Sequence, residues 1–469
     1  MRARLFAEEN RKWWTLGAVS FGLFMIMLDN TVVNVALPSM RASLNMTLSE
    51  LEWVVAGYAL TFAAFMLIGG KLADYVGRRR IFMIGLAIFT GASLACGLAP
   101  NGGFLIGARI VQGLGGAMMN PATLSIITAT FAPRERGRAI GIWAGVSALA
   151  LAIGPLVGGL LTEHVNWNWI FFINVPIGLA GIFLSPLFID ESRDTTADQR
   201  LDVPGLATSA LGLFALTYAF IEANNYGWTS TRIISAFVIA AVSLVVFVLL
   251  ERHQRAPMLD LSLFRNRTFG GANASMLFVG LAMFGTFFYV SLYMQNILGY
   301  SPVQAGASFL PMTILVILVA PRAGALTDKV GSRWLVGGGM TLLAVMLLYY
   351  SRLGAHESFW MLLPGMLLGG VGMGMTMTPV TAAAMSAVAV DKAGVGSAVL
   401  NSARQVGGSL GIAVMGAIVA GAADYLTGFK DALQLGSALC LAGAVVAVLA
   451  IRKIEHPHAA AAPAAAEAA

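Results

Sequence analysis

Charged residues are scarce in this sequence. Asp, Glu, Lys and Arg together make up 11% of the 469 residues, whereas a soluble domain has about 25%. Hydrophobic residues make up 58%, and long runs of them follow one another along the chain. One globular core cannot bury that much apolar surface. The composition therefore excludes a soluble protein and predicts that the lipid bilayer is the solvent.

Residues that bind metals or carry out covalent catalysis are also few. The two cysteines, Cys96 and Cys440, lie far apart in apolar runs, which indicates neither a disulfide framework nor a metal site. The sequence has no G-x-x-x-x-G-K-[ST] loop for nucleotide phosphates, and its five histidines fall outside the apolar runs. Without a Ser/His/Asp set or a histidine inside an apolar run, we expect no enzyme, no cofactor and no ATP-driven pump.

Apolar runs of about 20 residues, the length that crosses a bilayer, recur fourteen times. The predicted spans are 14–38, 51–71, 81–99, 103–124, 138–161, 169–189, 204–223, 232–250, 268–298, 302–325, 332–352, 358–379, 395–421 and 430–451. They divide the chain into a six-helix bundle (1–189), a linker with two additional spans and a basic surface segment (190–267), a second six-helix bundle (268–451) and a disordered alanine-rich tail (452–469).

The positive charges predict the orientation of these spans. Most of the 29 Lys and Arg residues fall in or beside the segments that share a side with the amino terminus, and cytoplasmic loops carry such an excess. We therefore predict a multi-pass protein of the cell membrane with both termini in the cytoplasm. Because the basic residues are confined to short loops, the net charge of +6 does not indicate nucleic-acid binding.

An internal repeat relates the two halves of the chain. Residues 70–81, GKLADYVGRRRI, recur in weakened form as residues 324–334, GALTDKVGSRW. In each copy one helix ends, a glycine permits a tight turn, and basic residues begin the next helix. The predicted conformational switch residues are Gly70, Asp74, Gly77, Arg78, Asp328, Gly331 and Arg333.

These motifs resemble those of a known transporter family. Residues 70–79 are similar to G-x-L-A-D-R-x-G-R-R, the loop signature of the major facilitator superfamily, and depart from it at Tyr75. Residues 28–38, LDNTVVNVALP, resemble the first-span signature of its fourteen-span drug:proton antiporters, and residues 109–113, RIVQG, match the fourth-span pattern R-x-x-Q-G. The fifth-span antiporter signature is matched by Gly145, Gly154, Pro155, Gly158 and Gly159.

The resemblance implies an all-α membrane protein of the major facilitator fold, with two extra helices inserted between two six-helix bundles. It implies a monomeric antiporter that exchanges protons for small lipophilic compounds by alternating access, with the proton gradient as its energy source. Two alternatives stay open at this point. One is a dedicated exporter of an endogenous product such as an antibiotic, siderophore or lipid, and the other is a membrane sensor or enzyme on a transporter scaffold.

The candidate proton-coupling residues are Asp29 and Arg109. Asp29 stands out among the 23 carboxylates as the one placed well inside a predicted span, where a charge costs about 2.5 to 3.5 kcal/mol on insertion scales. Counting 1.5 Å per residue puts Asp29, Arg109 and Tyr58 in the same layer of the membrane. We hypothesise that proximity to Arg109 favours the charged carboxylate and burial disfavours it, so that Asp29 alternately loads and releases a proton. The alternative is a static buried pair that fixes the packing of the two helices.

Polar residues at helical spacing predict the substrate cavity. One stripe lies on the fourth span and another on the thirteenth, where some relatives carry a carboxylate and this chain has Arg404. Arg404 either reaches the cavity, or else bonds to backbone carbonyls or snorkels to the membrane interface. Because the predicted spans contribute one acid and two arginines to this region, neutral and weakly anionic substrates are both compatible with it. The predicted cavity residues are Asn34, Tyr58, Gln112, Gly116, Asn120, Gln295, Asn401, Arg404 and Gln405.

Two expectations concern movement between the halves. The small residues of the fifth span permit close helix packing, and by the resemblance this span seals a gate between the bundles. The alternative is generic membrane packing. By the same resemblance, Asp74 engages the opposite half near the start of the thirteenth span in the outward-open state.

Overall fold

The computed structural model describes residues 8–193, 201–254, 257–389 and 392–452. Within these ranges the chain consists of long helices and contains no strand. Spans 1 to 6 are Glu8–Leu44, Leu48–Val76, Arg78–Gly97, Gly102–Thr130, Pro133–His164 and the pair Trp169–Phe172 and Asn174–Phe188. Spans 7 and 8 are Val203–Tyr226 and Thr231–His253, followed by a short 3-10 helix, Leu261–Arg265. Spans 9 to 14 are Arg267–Asn296, the pair Pro302–Ser308 and Leu310–Val330, Ser332–Tyr350, Phe359–Ser386, Ala393–Gly421 and Tyr425–Ala450.

The predicted fold class is confirmed. Thirteen of the described helices are long and apolar enough to cross a membrane. The long helix that falls short of this criterion is span 4, because Arg109, Gln112 and Asn120 interrupt its apolar sequence. The protein is therefore a multi-pass membrane protein.

Most helices are longer than the predicted spans, because capping side chains let the helices begin in polar sequence outside the apolar runs. Span 2 begins at a capping box in which Thr47 and Glu50 satisfy each other's backbone N–H groups, and this start lies three residues before the predicted one. Span 10 is interrupted at Phe309, and Pro311 follows within the first turn of its second helix, where a residue without an N–H is tolerated.

Several sequence predictions lie outside the described residues. The disordered tail falls there except for Arg452, as do parts of the linker and of the basic surface segment. The bounds of the four predicted segments stay predictions.

The helices of the two halves pack in the same pattern. In the first half, span 4 packs against spans 2 and 3, and span 1 packs against span 5. In the second half, span 12 packs against spans 10 and 11, and span 9 packs against span 13. Adding eight to each span number converts one set of contacts into the other, as expected for an internal repeat. The halves meet along two seams, one between spans 2 and 13 and one between spans 5 and 10.

We call the face of the bundle that carries both ends of the described chain the terminal face, and the opposite one the distal face. The halves are bonded to each other near the distal face. Ser291 Oγ donates to the Asn34 carbonyl over 2.9 Å, and Gln295 Nε2 donates to the Val35 carbonyl over 2.9 Å. The Val303 N–H donates to the Glu163 carboxylate, also over 2.9 Å. We call this set of contacts the distal seal.

Glycines allow the backbones of spans 5 and 10 to touch in the distal seal. A side chain at Gly159 would collide with the Pro302 carbonyl and lie 2.9 Å from the Val303 Cα. Reciprocally, a side chain at Gly306 would collide with the Pro155 carbonyl. Nearer the terminal face, a Cβ added at Gly145 would meet no atom within 4 Å. The protein is therefore closed at the distal face, and the end of span 5 near the terminal face is loosely packed.

An apolar groove opens on the terminal side between spans 1 and 5. It has a volume of about 320 Å³, and none of the nine predicted cavity residues lines it. Its lining includes Trp13, Leu16, Phe21, Phe24, Ile142 and Val146.

The two inserted spans cover one of the seams. Span 7 packs against spans 2 and 13 and so touches both halves, whereas span 8 packs mainly on span 7. Trp53 stacks on Phe214 with ring centroids 6.4 Å apart, and Asn224 Nδ2 donates to the Ala417 carbonyl over 2.7 Å. Span 7 therefore lies over the junction that must change when the halves move.

The distal seal predicts a difference between two glycine-to-alanine variants. Gly159→Ala adds a methyl group at a backbone contact, and overpacking of this kind costs about 1 to 3 kcal/mol. We expect the seal to open more often, so that a membrane-impermeant reagent labels V303C about fivefold faster or more. Gly145→Ala is the matched control and should leave the labelling rate unchanged. Equal rates in the two variants would contradict this description of the seal.

Candidate functional site

An ion pair between spans 1 and 4 forms the centre of the site. Arg109 Nη1 lies 2.5 Å from Asp29 Oδ2. The Asp29 side chain is 0% exposed and that of Arg109 is 1% exposed. Spans 1 and 4 pack against each other directly, which brings together two residues eighty positions apart. Both charges are therefore removed from water and depend on each other.

Two further groups complete the hydrogen bonding of this pair. Gln112 lies one helical turn after Arg109 and contacts both charged partners, since its Nε2 donates to Asp29 Oδ1 over 3.0 Å and its Oε1 accepts from Arg109 Nη1 over 2.7 Å. Arg109 Nε donates to the Val54 carbonyl on span 2 over 3.1 Å. Because Asp29 accepts a hydrogen bond at each oxygen, the geometry fits an ionised carboxylate.

Aromatic rings cover the guanidinium group. The Arg109 Cζ lies 4.2 Å from the centroid of the Tyr58 ring and 5.7 Å from that of Phe171. An arginine over an aromatic face gains about 2 kcal/mol or more when water is excluded. The Tyr58 hydroxyl is buried and makes no hydrogen bond to Asp29 or Arg109 among the described residues. Tyr58 therefore contributes its ring to this cluster, which we call the Asp29 cluster.

The other predicted cavity residues are distributed over several places. Gly116 is buried, and a side chain there would lie 3.0 Å from the Phe62 ring. Asn120 is 9% exposed, and its carbonyl accepts a hydrogen bond from Thr123. Asn34 and Gln295 take part in the distal seal. Assignment of these residues to a substrate cavity stays a prediction.

The predicted residues of span 13 lie together in the other half. Arg404 Nη2 donates to Asn401 Oδ1 over 3.4 Å, whereas Arg404 Nε has no partner among the described residues. The amide oxygen of Gln405 is likewise buried without a partner in this part of the chain. Arg404 is thus bonded to a side chain rather than to the backbone carbonyls that one alternative invoked, and its role in substrate binding stays a prediction.

Comparison with known proteins identifies the family. A family model described as the Major Facilitator Superfamily matches residues 19–412. The chain belongs to the major facilitator superfamily. The resemblance seen in the sequence motifs is thereby confirmed, and the family is one of transporters rather than enzymes.

Named relatives within the superfamily are resistance proteins. The chain is 39% identical over 409 residues to the multidrug resistance protein Stp of Mycobacterium tuberculosis, covering 87% of this chain and 75% of the relative. It is 38% identical over 427 residues to the puromycin resistance protein pur8 of Streptomyces alboniger, covering 89% and 84%. It is 35% identical over 412 residues to the tetracenomycin C resistance and export protein of Streptomyces glaucescens, covering 88% and 77%.

Solved structures of other transporters share the fold. A crystal structure of an auto-inhibited POT family peptide transporter aligns with a TM-score of 0.72 at 15% identity, covering 95% of this chain and 98% of that one. A bacterial homologue of the human lysosomal transporter Spinster, in an inward-facing and unoccupied conformation, aligns with a TM-score of 0.67 at 17% identity, covering 96% and 98%. At these identities the likeness shows the fold alone.

The superfamily loop motif is held within the first half of the structure. Asp74 Oδ1 lies 2.9 Å from Arg78 Nη2 in the same loop, and no contact with span 13 is seen for it in the described residues. Gly77 has φ +130°, and a Cβ there would lie 2.6 Å from the Glu191 carboxylate, so glycine serves both the turn and the close approach. In the second copy Gly331 has φ +93° and the Arg333 guanidinium lies 4.9 Å from the Trp334 ring centroid. The Asp328 side chain lies outside the described part.

Sequence reasoning missed Glu191. This residue follows span 6, and its Oε1 accepts from the Arg79 N–H at the start of span 3 over 3.1 Å. Its Oε2 lies 3.7 Å from Arg80 Nε. A carboxylate at a helix amino terminus is stabilised by the helix dipole. The linker therefore supplies, through Glu191, the negative charge at the start of span 3.

Sequence reasoning also missed Glu52. This carboxyl is 2% exposed and accepts a hydrogen bond from the Tyr289 hydroxyl over 2.9 Å. The predicted span begins at residue 51, so Glu52 falls at its edge and was not considered as a candidate. The capping box at Thr47 was the signal that could have placed Glu52 inside the helix.

The ion pair predicts a non-additive effect on stability. Arg109→Gln alone leaves the Asp29 carboxylate buried without a cation, and Asp29→Asn alone leaves Arg109 with neutral acceptors only, so each single variant is destabilising. In the double variant neither charge remains, so its loss of unfolding free energy should fall short of the sum by about 1 kcal/mol or more. The measurement is unfolding of the four proteins in one detergent.

The control cycle uses an ion pair at the surface. Lys392 Nζ lies 2.8 Å from Asp260 Oδ2, with side chains 48% and 31% exposed. Coupling between Lys392→Gln and Asp260→Asn should stay below about 1 kcal/mol. Additive effects at Asp29 and Arg109 would show that the two residues do not depend on each other.

Proposed function

We propose that this protein is a proton-coupled antiporter that exports small lipophilic compounds by alternating access. The observation that carries the proposal is the Asp29 cluster, an ionisable carboxyl buried between two spans and bonded to an arginine. Ionisable groups inside a membrane protein are expensive and mark ion or proton pathways. The resistance and export functions named for the relatives support export as the direction of transport and small compounds as the class of cargo.

The bonding of Arg109 suits a carboxylate that changes its charge. When Asp29 takes up a proton it loses much of its attraction for the guanidinium, and an arginine left without partners would be costly. Arg109 keeps acceptors at Gln112 Oε1 and the Val54 carbonyl, together with the Tyr58 ring. These contacts lower the cost of neutralising Asp29 while the arginine keeps its charge.

Span 1 connects this charge to the distal seal. Asn34 and Val35 follow Asp29 by less than two helical turns, and their carbonyls accept the bonds from span 9. A side chain at Gly154 of span 5 would collide with Thr31 on the same stretch. Protonation of Asp29 weakens its attraction to span 4, and a shift of span 1 in response acts directly on contacts between the halves.

The transport cycle that we propose includes the state seen in this structure. With the termini in the cytoplasm, the structure is closed to the outside, and the apolar groove between spans 1 and 5 lies on the side from which an exporter loads. Its lining, which includes Phe21 and Phe24, favours lipophilic cargo. Each entering proton supplies about 2.3 kcal/mol per 100 mV of membrane potential. The partners are then protons, cargo and the bilayer, and one chain supplies both halves of a monomeric transporter.

Transport in inverted vesicles tests the proposal. An acidic lumen should drive uptake of a fluorescent lipophilic dye by the wild type, because protons leave as dye enters. Asp29→Asn should abolish this gradient-driven uptake while dye binding persists, since the amide cannot release a proton. Asp424→Asn is the matched control, because Asp424 is exposed and caps span 14 and asparagine caps equally well. Gradient-driven uptake by Asp29→Asn at the wild-type rate would refute the assignment, and a wild type indifferent to the gradient would refute proton coupling.

A dedicated exporter of one product is the second candidate. Two of the relatives are named for a single antibiotic, puromycin or tetracenomycin C, which favours it. Growth protection against unrelated dyes and detergents separates the two, because broad efflux protects against many of them. A dedicated exporter protects against one chemical class.

A further inference from the structure

Glu52 occupies the junction of the two halves near the distal face. It lies on span 2, and its Oε1 accepts from the hydroxyl of Tyr289 on span 9 over 2.9 Å. On span 13, a side chain at Gly416 would collide with the same oxygen. Glu52 is thus enclosed by elements that must separate when the distal seal opens.

The surroundings of Glu52 contain no compensating positive charge among the described residues. Span 9 contributes Tyr289, and span 14 contributes Tyr425, whose hydroxyl donates to the Tyr289 carbonyl over 3.0 Å. Span 13 contributes Gly416. Span 7 contributes Glu222, which lies beside the first turn of span 2, since Asn225 Nδ2 donates to Glu222 Oε2 over 2.8 Å and to Ser49 Oγ over 3.0 Å. The contrast is with Asp29, which is equally buried but has an arginine beside it.

A carboxyl in this position responds to the state of the seal. An ionised carboxylate buried without a cation is strongly unfavourable, so the closed seal favours the neutral acid. Opening of the seal admits water between spans 2, 9 and 13, and water stabilises the ionised form. Closing therefore takes up a proton, and opening releases it to the distal side. By linkage, the closed state is favoured at low pH and loses that advantage as the pH rises.

We propose that Glu52 is a second proton-binding site, separate from the Asp29 cluster, and that its protonation locks the distal seal. It binds a proton from the distal side and makes closure depend on the pH there. The proposal rests on the alternating access of the proposed function, but it does not require that Asp29 couples transport.

The same geometry assigns a role to the inserted spans. Glu222 lies on span 7, and Asn225 Nδ2 donates to its Oε2 over 2.8 Å. A negative charge next to Glu52 makes ionisation of Glu52 still less favourable. Span 7 thereby raises the pH at which the seal unlocks.

Distances between spin labels across the distal face test the proposal. Ser43 and Asn296 are exposed at the distal ends of spans 1 and 9, and the native cysteines are buried, so labels on S43C and N296C report the opening. For a single proton the closed-to-open ratio should fall by up to about tenfold per pH unit as the pH rises. In an Asp29→Asn background, Glu52→Gln mimics the neutral acid and should stay closed, with a ratio that changes less than about twofold over the pH range in which the wild type opens.

Three further variants control this result. Glu50→Gln is the matched control, because Glu50 caps the same helix and glutamine preserves the cap, so it should titrate like the wild type. Glu222→Gln keeps Glu52 and should shift the transition to lower pH. In an Asp29→Asn background the pH dependence should persist and disappear on adding Glu52→Gln.

The outcomes separate this proposal from the proposed function. A folded Glu52→Gln protein with the wild-type pH transition would overturn it. An unshifted transition in Glu222→Gln would also overturn it, and that variant leaves Glu52 itself unchanged. Loss of the transition in Asp29→Asn alone would assign the effect to the Asp29 cluster. A wild type that shows no proton-driven transport but retains the Glu52-dependent transition would contradict proton coupling and leave the lock in place.

Discussion

A buried ion pair between Asp29 and Arg109 is the interaction on which the account depends. In water such a pair is worth little, but with both side chains at most 1% exposed each charge is tolerated because the other is present. A membrane interior enforces this dependence, since no water replaces a lost partner. In the proposed mechanism, a single proton on Asp29 changes the packing of span 1 on span 4, which is the property that a proton-driven transporter needs.

The repeat explains why a local change can reach the seam between the halves. Span 1 contacts span 4 through the Asp29 cluster, span 5 through its glycines and span 9 through the distal seal. Small residues in these contacts bring backbones together and leave little room for intermediate arrangements. In the proposed alternating-access cycle, the two bundles move as units between a few well-packed states. Span 7 contacts both halves at the other seam, so in that cycle the inserted pair belongs to the moving interface.

The sequence predicted the helices and the ion pair because both leave a local signal. Apolar runs of a fixed length mark spans, and a lone acid such as Asp29 inside one is conspicuous at a known depth. The capping box at Thr47 places Glu52 in a helix, but no local pattern reveals its burial, because that depends on Tyr289, which is 237 positions away. Gln295 was predicted to line the cavity, whereas in this state it takes part in the distal seal. A pattern of polar residues does not tell which conformation each residue serves. Which state is populated depends on small free-energy differences between whole arrangements, and no local motif encodes them.

Proton release on cargo binding is the most direct test of the central claim. Purified protein in weakly buffered solution is mixed with a lipophilic dye that it binds, and a pH indicator reports the protons set free. If cargo and proton compete through Asp29, the wild type releases about one proton for each dye bound, and Asp29→Asn binds dye without releasing any. Equal release by the two proteins, or dye binding by the wild type with no release, would contradict the account.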